Sequence, residues 1–194
     1  MSLIIENVTG IVKLSNLEIE FFNSLLQPTN FKKKEFALKA GTVCRQQTFV
    51  NRGCLRIFYN DLQGSEHVAK FAIENSWAFD LESFTIGVPA SYSIQALEET
   101  ATLQLSKENW DLLCAEVPAF EKFFRVMFQN SYILLQHRIT QHLYQKGDEK
   151  YIQFQKKYPG LEQRIPQKEI ASYLGITPEF LSMIRAKKGS GIIS

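Results

Sequence analysis

The sequence predicts an α+β protein in which an N-terminal β-roll with flanking helices leads through one long helix to a C-terminal helix-turn-helix. Three observations carry this. The hydrophobic period changes from helical to two between Phe31 and Leu105, a wide apolar stripe at helical spacing runs from Pro118 to about Lys146, and Ile165 to Lys187 reads as two short helices joined by a tight turn. The chain therefore divides into a roll over 1–117, a long helix over 118–146 and a helix-turn-helix domain over 147–194.

Leu14 to Leu26 carries Leu17, Phe21, Phe22, Leu25 and Leu26 at helical spacing, and Ser15 with Glu18 forms a capping box, so an amphipathic helix ends before Pro28. Further on, Leu55, Ile57 and Tyr59 alternate with Arg56, Phe58 and Asn60. After the polar turn Asp61 to Ser65, with Gly64 in it, Ala69, Phe71 and Ile73 alternate with Val68, Lys70 and Ala72, which makes a β-hairpin. Short strands follow at Tyr92 to Ala96 and Ala101 to Leu105. Turn signals roughly every ten residues favour a small β-roll or barrel over a parallel sheet. Trp77, Phe79, Phe84 and Tyr92 gather in this region, either as roll core or as the wall of an apolar effector pocket.

Ser106 caps a short helix, and Pro118 opens the long one. Phe124, Phe128, Tyr132, Leu135, Ile139 and Leu143 recur mostly in threes and fours, the spacing of a helix that pairs with a copy of itself. A parallel dimer seam is the expectation; burial inside one monomer is the alternative. Glu149 to Lys157 forms another short helix, and Tyr158-Pro159-Gly160 a turn.

In the terminal pair, Ile170 and Leu174 fall on the inner face of the first helix, with Ala171 small enough for a close crossing. Gly175 ends that helix in a left-handed conformation, which a residue lacking Cβ enters without steric cost. Thr177 is placed as N-cap and Pro178 in the first turn of the second helix, while Ile176, Leu181 and Ile184 face back. Such a pair can lay its second helix in a DNA major groove. An ordinary αα-hairpin in a core is the alternative.

At 45% hydrophobic and 22% charged the composition is that of a globular protein, which argues against disorder and a disulfide scaffold. No apolar run approaches the roughly 18 residues of a membrane span, and MSLIIENVTG lacks the basic and apolar regions of a signal peptide. A cytoplasmic location with no membrane partner is expected. Cys44, Cys54 and Cys114 are too few and too scattered for zinc or iron–sulfur ligation, so no metal or cofactor is expected. The net charge of +2 is uneven: from Gly147 on there are eight Lys or Arg against five Asp or Glu, and 14 against 15 in the rest. Positive charge thus gathers where phosphate contact requires it. Of the three histidines only His67 falls in the roll, too few for a metal-binding cupin, and His137 and His142, five apart, do not share a helix face. No phosphate loop, nucleophile elbow or catalytic carboxylate pair stands out, so no enzyme is expected.

A leading helix, a β-roll, a long seam-bearing helix and a terminal helix-turn-helix, in that order, resemble the Crp/Fnr family of bacterial transcription regulators from about residue 12 to 188. The most specific pieces are the helix-turn-helix, the run Arg52-Gly53-Cys54-Leu55-Arg56, and IQALEE at Ile94 to Glu99. The resemblance implies a cyclic nucleotide-binding-like roll (a double-stranded β-helix) that holds an effector, and a homodimer made by the long helix. It also implies a winged helix-turn-helix that binds double-stranded DNA at a two-fold symmetric promoter site, with RNA polymerase as a further partner.

Where the family clamps a cyclic phosphate with Gly-Glu and, about ten residues on, Arg followed by Ser or Thr, this chain has Phe79-Asp80 and Ala90-Ser91. A buried phosphate needs a positive partner, Ala90 supplies none, and no Lys or Arg lies between Glu74 and Ser106. The roll is therefore expected not to bind cyclic AMP and to hold another small molecule or none. No cysteine lies in the first 40 residues, so no iron–sulfur cluster is expected. In the reading helix the family's Arg-Glu pair and later Arg align with Pro178, Glu179 and Met183; Glu179 keeps an acceptor for a cytosine amino group, and Met183 offers apolar contact to a thymine methyl. Phosphate anchoring falls to Gln167, Lys168, Thr177, Ser182, Arg185, Lys187 and Lys188. Steep salt dependence and a half-site unlike the common family consensus follow. GSGIIS at the end supplies at most one strand of a wing. Two rivals stay open: an effector-binding roll whose C-terminal hairpin takes a protein partner, and a cupin-like enzyme, which needs a bound metal.

Overall fold

A computed structural model describes residues 2–189 of the chain. Two short helices come first, α1 (Leu3–Thr9) and α2 (Asn16–Leu25). The capping box opens α2: the Ser15 hydroxyl accepts from the Glu18 N–H at 3.3 Å, and the Glu18 carboxylate accepts from the Ser15 N–H at 2.6 Å. α1 has seven residues, too few to show a period in the sequence; Ile4, Ile5 and Val8 bury it.

Eight strands follow: β1 (Gln27–Phe31), β2 (Phe36–Leu38), β3 (Gln46–Arg52), β4 (Leu55–Asn60), β5 (Glu66–Ala72), β6 (Ser76–Ala78), β7 (Ser93–Ala96) and β8 (Thr100–Ser106), with α3 (Leu81–Ile86) between β6 and β7. They pair antiparallel into two four-stranded sheets, ordered β1-β8-β3-β6 and β2-β7-β4-β5. Val50, Leu55, Ile57, Ala72, Phe84 and Ile94 fill the space between the sheets, so the strands close into a β-roll. Pro28 sits within β1, where an edge position spares it a ladder N–H. At the β3–β4 turn Gly53 has φ +104°, and a Cβ there would lie 2.6 Å from the Glu99 carbonyl oxygen.

α4 (Lys107–Glu116), capped by Ser106, leads into α5 (Ala119–Tyr144). The first turns of α5 close a second core with the short helices and the outer face of the first sheet, built on Phe22, Phe49, Trp77, Phe120, Phe123 and Phe124. The chain then runs through α6 (Gly147–Lys157), a 3-10 turn (Leu161–Gln163), α7 (Gln167–Leu174) and α8 (Pro178–Gly189). Gly175 ends α7 at φ 68°, and the Thr177 hydroxyl caps α8 by accepting from the Phe180 N–H at 3.2 Å.

The β4–β5 hairpin has two apolar faces. Leu55 and Ile57 point into the roll, whereas Phe58, Val68 and Phe71 join a third core with Phe154, Tyr158, Ile170, Tyr173 and Leu174. The helix-turn-helix is thus docked on the roll. α7 covers the open edge of β5, a position that otherwise presents unpaired backbone groups: the Val68 N–H donates to Ser172 Oγ at 3.0 Å, and that hydroxyl donates to the Glu66 carbonyl at 3.1 Å. Arg56 Nη1 lies 2.8 Å from Glu169 Oε2 and 2.7 Å from Glu66 Oε2, and Arg164 bridges Glu74 and Glu98.

Candidate functional site

α8 has the form a reading helix needs. Leu181 and Ile184 are buried beneath it, and Pro178, Glu179, Ser182, Met183, Arg185 and Lys187 are exposed. Gln167 does not stand free beside the helix: its side-chain amide donates to the Pro178 carbonyl at 3.1 Å and to Ser182 Oγ at 2.7 Å, tying the start of α7 to the first turn of α8. Gln167 thus positions α8. Lys168 projects into solvent, with its Nζ 3.8 Å from Glu169 Oε1. The side chain of Lys188 and the wing segment 190–194 lie outside the described residues. Phe180, which the sequence reading passed over, is 42% exposed on the same helix.

The residues expected around an effector pocket separate into three places. Trp77 points out of the roll into the helical layer, against Phe49 and Phe123, and its indole N–H donates to Asn7 at 3.1 Å; it lines no roll pocket. Phe84 is buried, with Phe79 edge-on at 5.8 Å, and Phe79 also meets Phe128. Asp80, 5% exposed, caps α3 by accepting from the Ser83 N–H, and its second oxygen accepts from the N–H groups of Ser91 at 3.0 Å and Tyr92 at 3.2 Å. Ala90 is buried, its N–H and carbonyl bonded to the backbone of Thr42 and Gly41, and Tyr92 is half-exposed against Tyr59. At the segment where the family clamps a phosphate, two N–H donors are held by the chain's own carboxylate. The roll's open cavity, about 350 Å³, lies elsewhere, lined by Phe36, Leu38, Cys44, Gln46, Thr48 and Ile94. The alternation of Gln46, Thr48 and Val50 in β3 was the signal that could have found it.

Along α5 the expected seam is shorter than its sequence spacing. Phe124 is 2% exposed among Trp77, Trp110 and Phe120, so it belongs to the monomer core, and Phe128 is half-buried against Phe79 and Phe124. The correction is one of length: the β-roll's outer helical layer extends far enough to take the first turns. From Tyr132 on, the row of Leu135, Ile139 and Leu143 is exposed, together with Ile133, Leu134 and Tyr144. Among the described residues no group of three or more His, Cys, Asp and Glu is placed to hold a metal ion, and no helix is long and apolar enough to cross a membrane.

Comparison with known proteins fits this geometry. Residues 28–117 match the family model of the cyclic nucleotide-binding domain. The fold of the chain resembles FixK2 from Bradyrhizobium japonicum (13% identity, 87% of each chain covered, TM-score 0.70) and a protein described as a Crp/Fnr-family regulator from Eubacterium rectale (15% identity, 93% of this chain and 87% of that one, TM-score 0.72). It also resembles the c-di-GMP-responsive global regulator CLP of Xanthomonas campestris (12% identity, 91% and 93% covered, TM-score 0.68). No curated protein sequence matches the chain. The roll thus matches the model of that domain, and the chain shares its fold with these regulators.

Proposed function

We propose that the protein is a cytoplasmic, non-enzymatic, homodimeric transcription regulator that binds a two-fold symmetric DNA site through α8. The observation that carries this is the outward face of α8, where Glu179, Ser182 and Met183 stand clear of the core that Leu181 and Ile184 anchor. Glu179 reads a base edge, Met183 packs on a thymine methyl, and Thr177, Ser182, Arg185, Lys187 and Lys168 hold phosphates. The exposed row from Tyr132 to Leu143 supplies the dimer seam that sets two reading helices about 34 Å apart. RNA polymerase is the protein partner that the family resemblance implies.

The roll does not clamp cyclic AMP. A cyclic phosphate would have to displace the Asp80 carboxylate from the Ser91 and Tyr92 N–H groups and find a cation that Ala90 does not provide. Site selection from random duplexes tests the whole: a two-fold symmetric sequence differing from the common family consensus is expected. Recovery of no sequence, or cyclic AMP binding at micromolar concentration in calorimetry, would count against it. The exposed Phe180 and Met183 favour one rival, a hairpin that docks a protein, which predicts no DNA affinity at any salt concentration.

A further inference from the structure

Between α5, α6 and α7 lies a cleft of about 130 Å³ whose lining contains no carboxylate: His137 and Arg138 come from α5, Lys150 and Lys157 from α6, and Gln145 and Tyr173 help to enclose it. Lys150 and Lys157 are seven residues apart, which puts both on one face of α6. The Arg138 guanidinium lies 4.4 Å over the Tyr173 ring, and Lys157 Nζ is 3.5 Å from the Tyr173 hydroxyl. Among the described residues none of these three cations is in an ion pair. Arg138 donates from Nη2 alone, over long bonds of 3.4 and 3.3 Å to the carbonyls of Val68 and Tyr173, so its other donors point elsewhere.

Like charges brought together in a partly shielded cleft repel, and an anion entering it removes that cost. A planar guanidinium flanked by two ammonium groups matches the geometry of a phosphoryl group. The side-chain oxygen of Gln145 adds a second requirement: it is buried and has no hydrogen-bond partner among the described residues, so it calls for a donor. We propose that this cleft binds an organic phosphate that carries free hydroxyl groups, the phosphoryl oxygens meeting Arg138, Lys150 and Lys157 and a hydroxyl donating to Gln145.

The cleft is separate from both surfaces already described. At about 100° per residue, Leu134 and Arg138 stand roughly a third of a turn round α5 from Leu135 and Ile139, so pairing along the seam leaves the cleft open. α8 meets α6 at its first residue, where a Cβ on Gly147 would lie 2.6 Å from the Phe180 ring, and neither Gly147 nor Phe180 lines the cleft. An anion in the cleft ties α5 to α6 and so fixes the helix-turn-helix against the dimer helix. That consequence rests on the promoter-binding reading; the binding itself does not.

The test is calorimetric titration of the full chain with glycerol 3-phosphate at low salt, in the absence of DNA. One saturable site per chain is expected, weakened roughly tenfold or more by Arg138→Gln and by the double variant Lys150→Gln with Lys157→Gln, the loss expected for a charge-assisted hydrogen bond. The double variant Lys32→Gln with Lys33→Gln, on the roll surface, should bind as the wild type does, and circular dichroism verifies that each variant is folded. Absence of saturation overturns the proposal, as does equal affinity in all variants. So does a Lys150/Lys157 variant that keeps probe binding and loses DNA affinity, because those cations would then serve the DNA backbone. With no DNA in the titration, its outcome is independent of what α8 reads.

Discussion

Arg56 on β4 and Glu169 on α7 meet at 2.8 Å across 113 residues of sequence, 7% and 5% exposed respectively. The guanidinium also stacks 4.0 Å over the Phe58 ring and donates to Gln95 and Glu66. A buried charge persists only where it is paired and its donors are satisfied, and here the pair joins the roll to the helix-turn-helix. Glu169→Ala removes the buried carboxylate and leaves Arg56 its bonds to Glu66 and Gln95, so a loss of roughly 1.5–3 kcal/mol in urea unfolding is expected. Replacing both partners by apolar residues of similar volume should recover much of that loss. A Glu169→Ala chain as stable as the wild type would mean that the pair does not hold the docking.

The second link between these parts is sensitive to acid. Burial by itself raises the Glu74 carboxyl, but hydrogen bonds from Arg164 and the Gly53 N–H outweigh it and hold the group below its ordinary 4.5. With the folded value depressed, folding favours the ionised form; its contribution is complete above the unfolded value and is lost as pH falls through the folded one. Arg164 and Glu74 are each about a third exposed, so water screens the effect and a modest slope is expected. Denaturation midpoints from about pH 5 to about pH 3 should fall more steeply in the wild type than in Glu74→Gln. Parallel curves would remove Glu74 from the account.

All three cysteines are free and buried. Burial pushes the Cys54 and Cys114 thiols up to about 12, and raises Cys44 as well. Since the thiolate is the reactive form, an aromatic disulfide reagent at neutral pH should label the native protein only slowly and all three positions after denaturation. Rapid native labelling of Cys54 would show that the β3–β4 turn opens.

The proposed pairing along α5 rests on the exposed row and not on the buried start of that helix. Ile139→Asp is expected to give a monomer in sedimentation with circular dichroism unchanged, because Ile139 is 54% exposed in the single chain. Phe124→Ala should instead lower stability by about 3–5 kcal/mol without a direct effect on association. A dimer that survives Ile139→Asp would place the interface elsewhere.

Much of this fold was legible because its signals are local. Ser15 with Glu18, Gly175, and Thr177 with Pro178 each fix one backbone event through their own chemistry, and the structure has each where the sequence placed it. What stayed hidden depends on partners distant in sequence. Phe58 and Phe71 look like ordinary hairpin residues until α7 covers them, and Arg56 looks like a solvated charge until Glu169 arrives. The site shows the same division. α8 was readable from spacing alone, whereas the Asp80 carboxylate seated on the Ser91 and Tyr92 N–H groups, and the basic cleft beside Arg138, exist only once the chain has folded.

The most direct test of the central claim is binding of the selected duplex followed by fluorescence anisotropy over a salt series, for the wild type and Arg185→Ala. If α8 lies in the groove with Arg185 on a phosphate, log K falls linearly with log salt, and the slope decreases by about one in the variant. No affinity at low salt, or identical slopes for the two proteins together with no effect of Ser182→Ala or Met183→Ala, would contradict it.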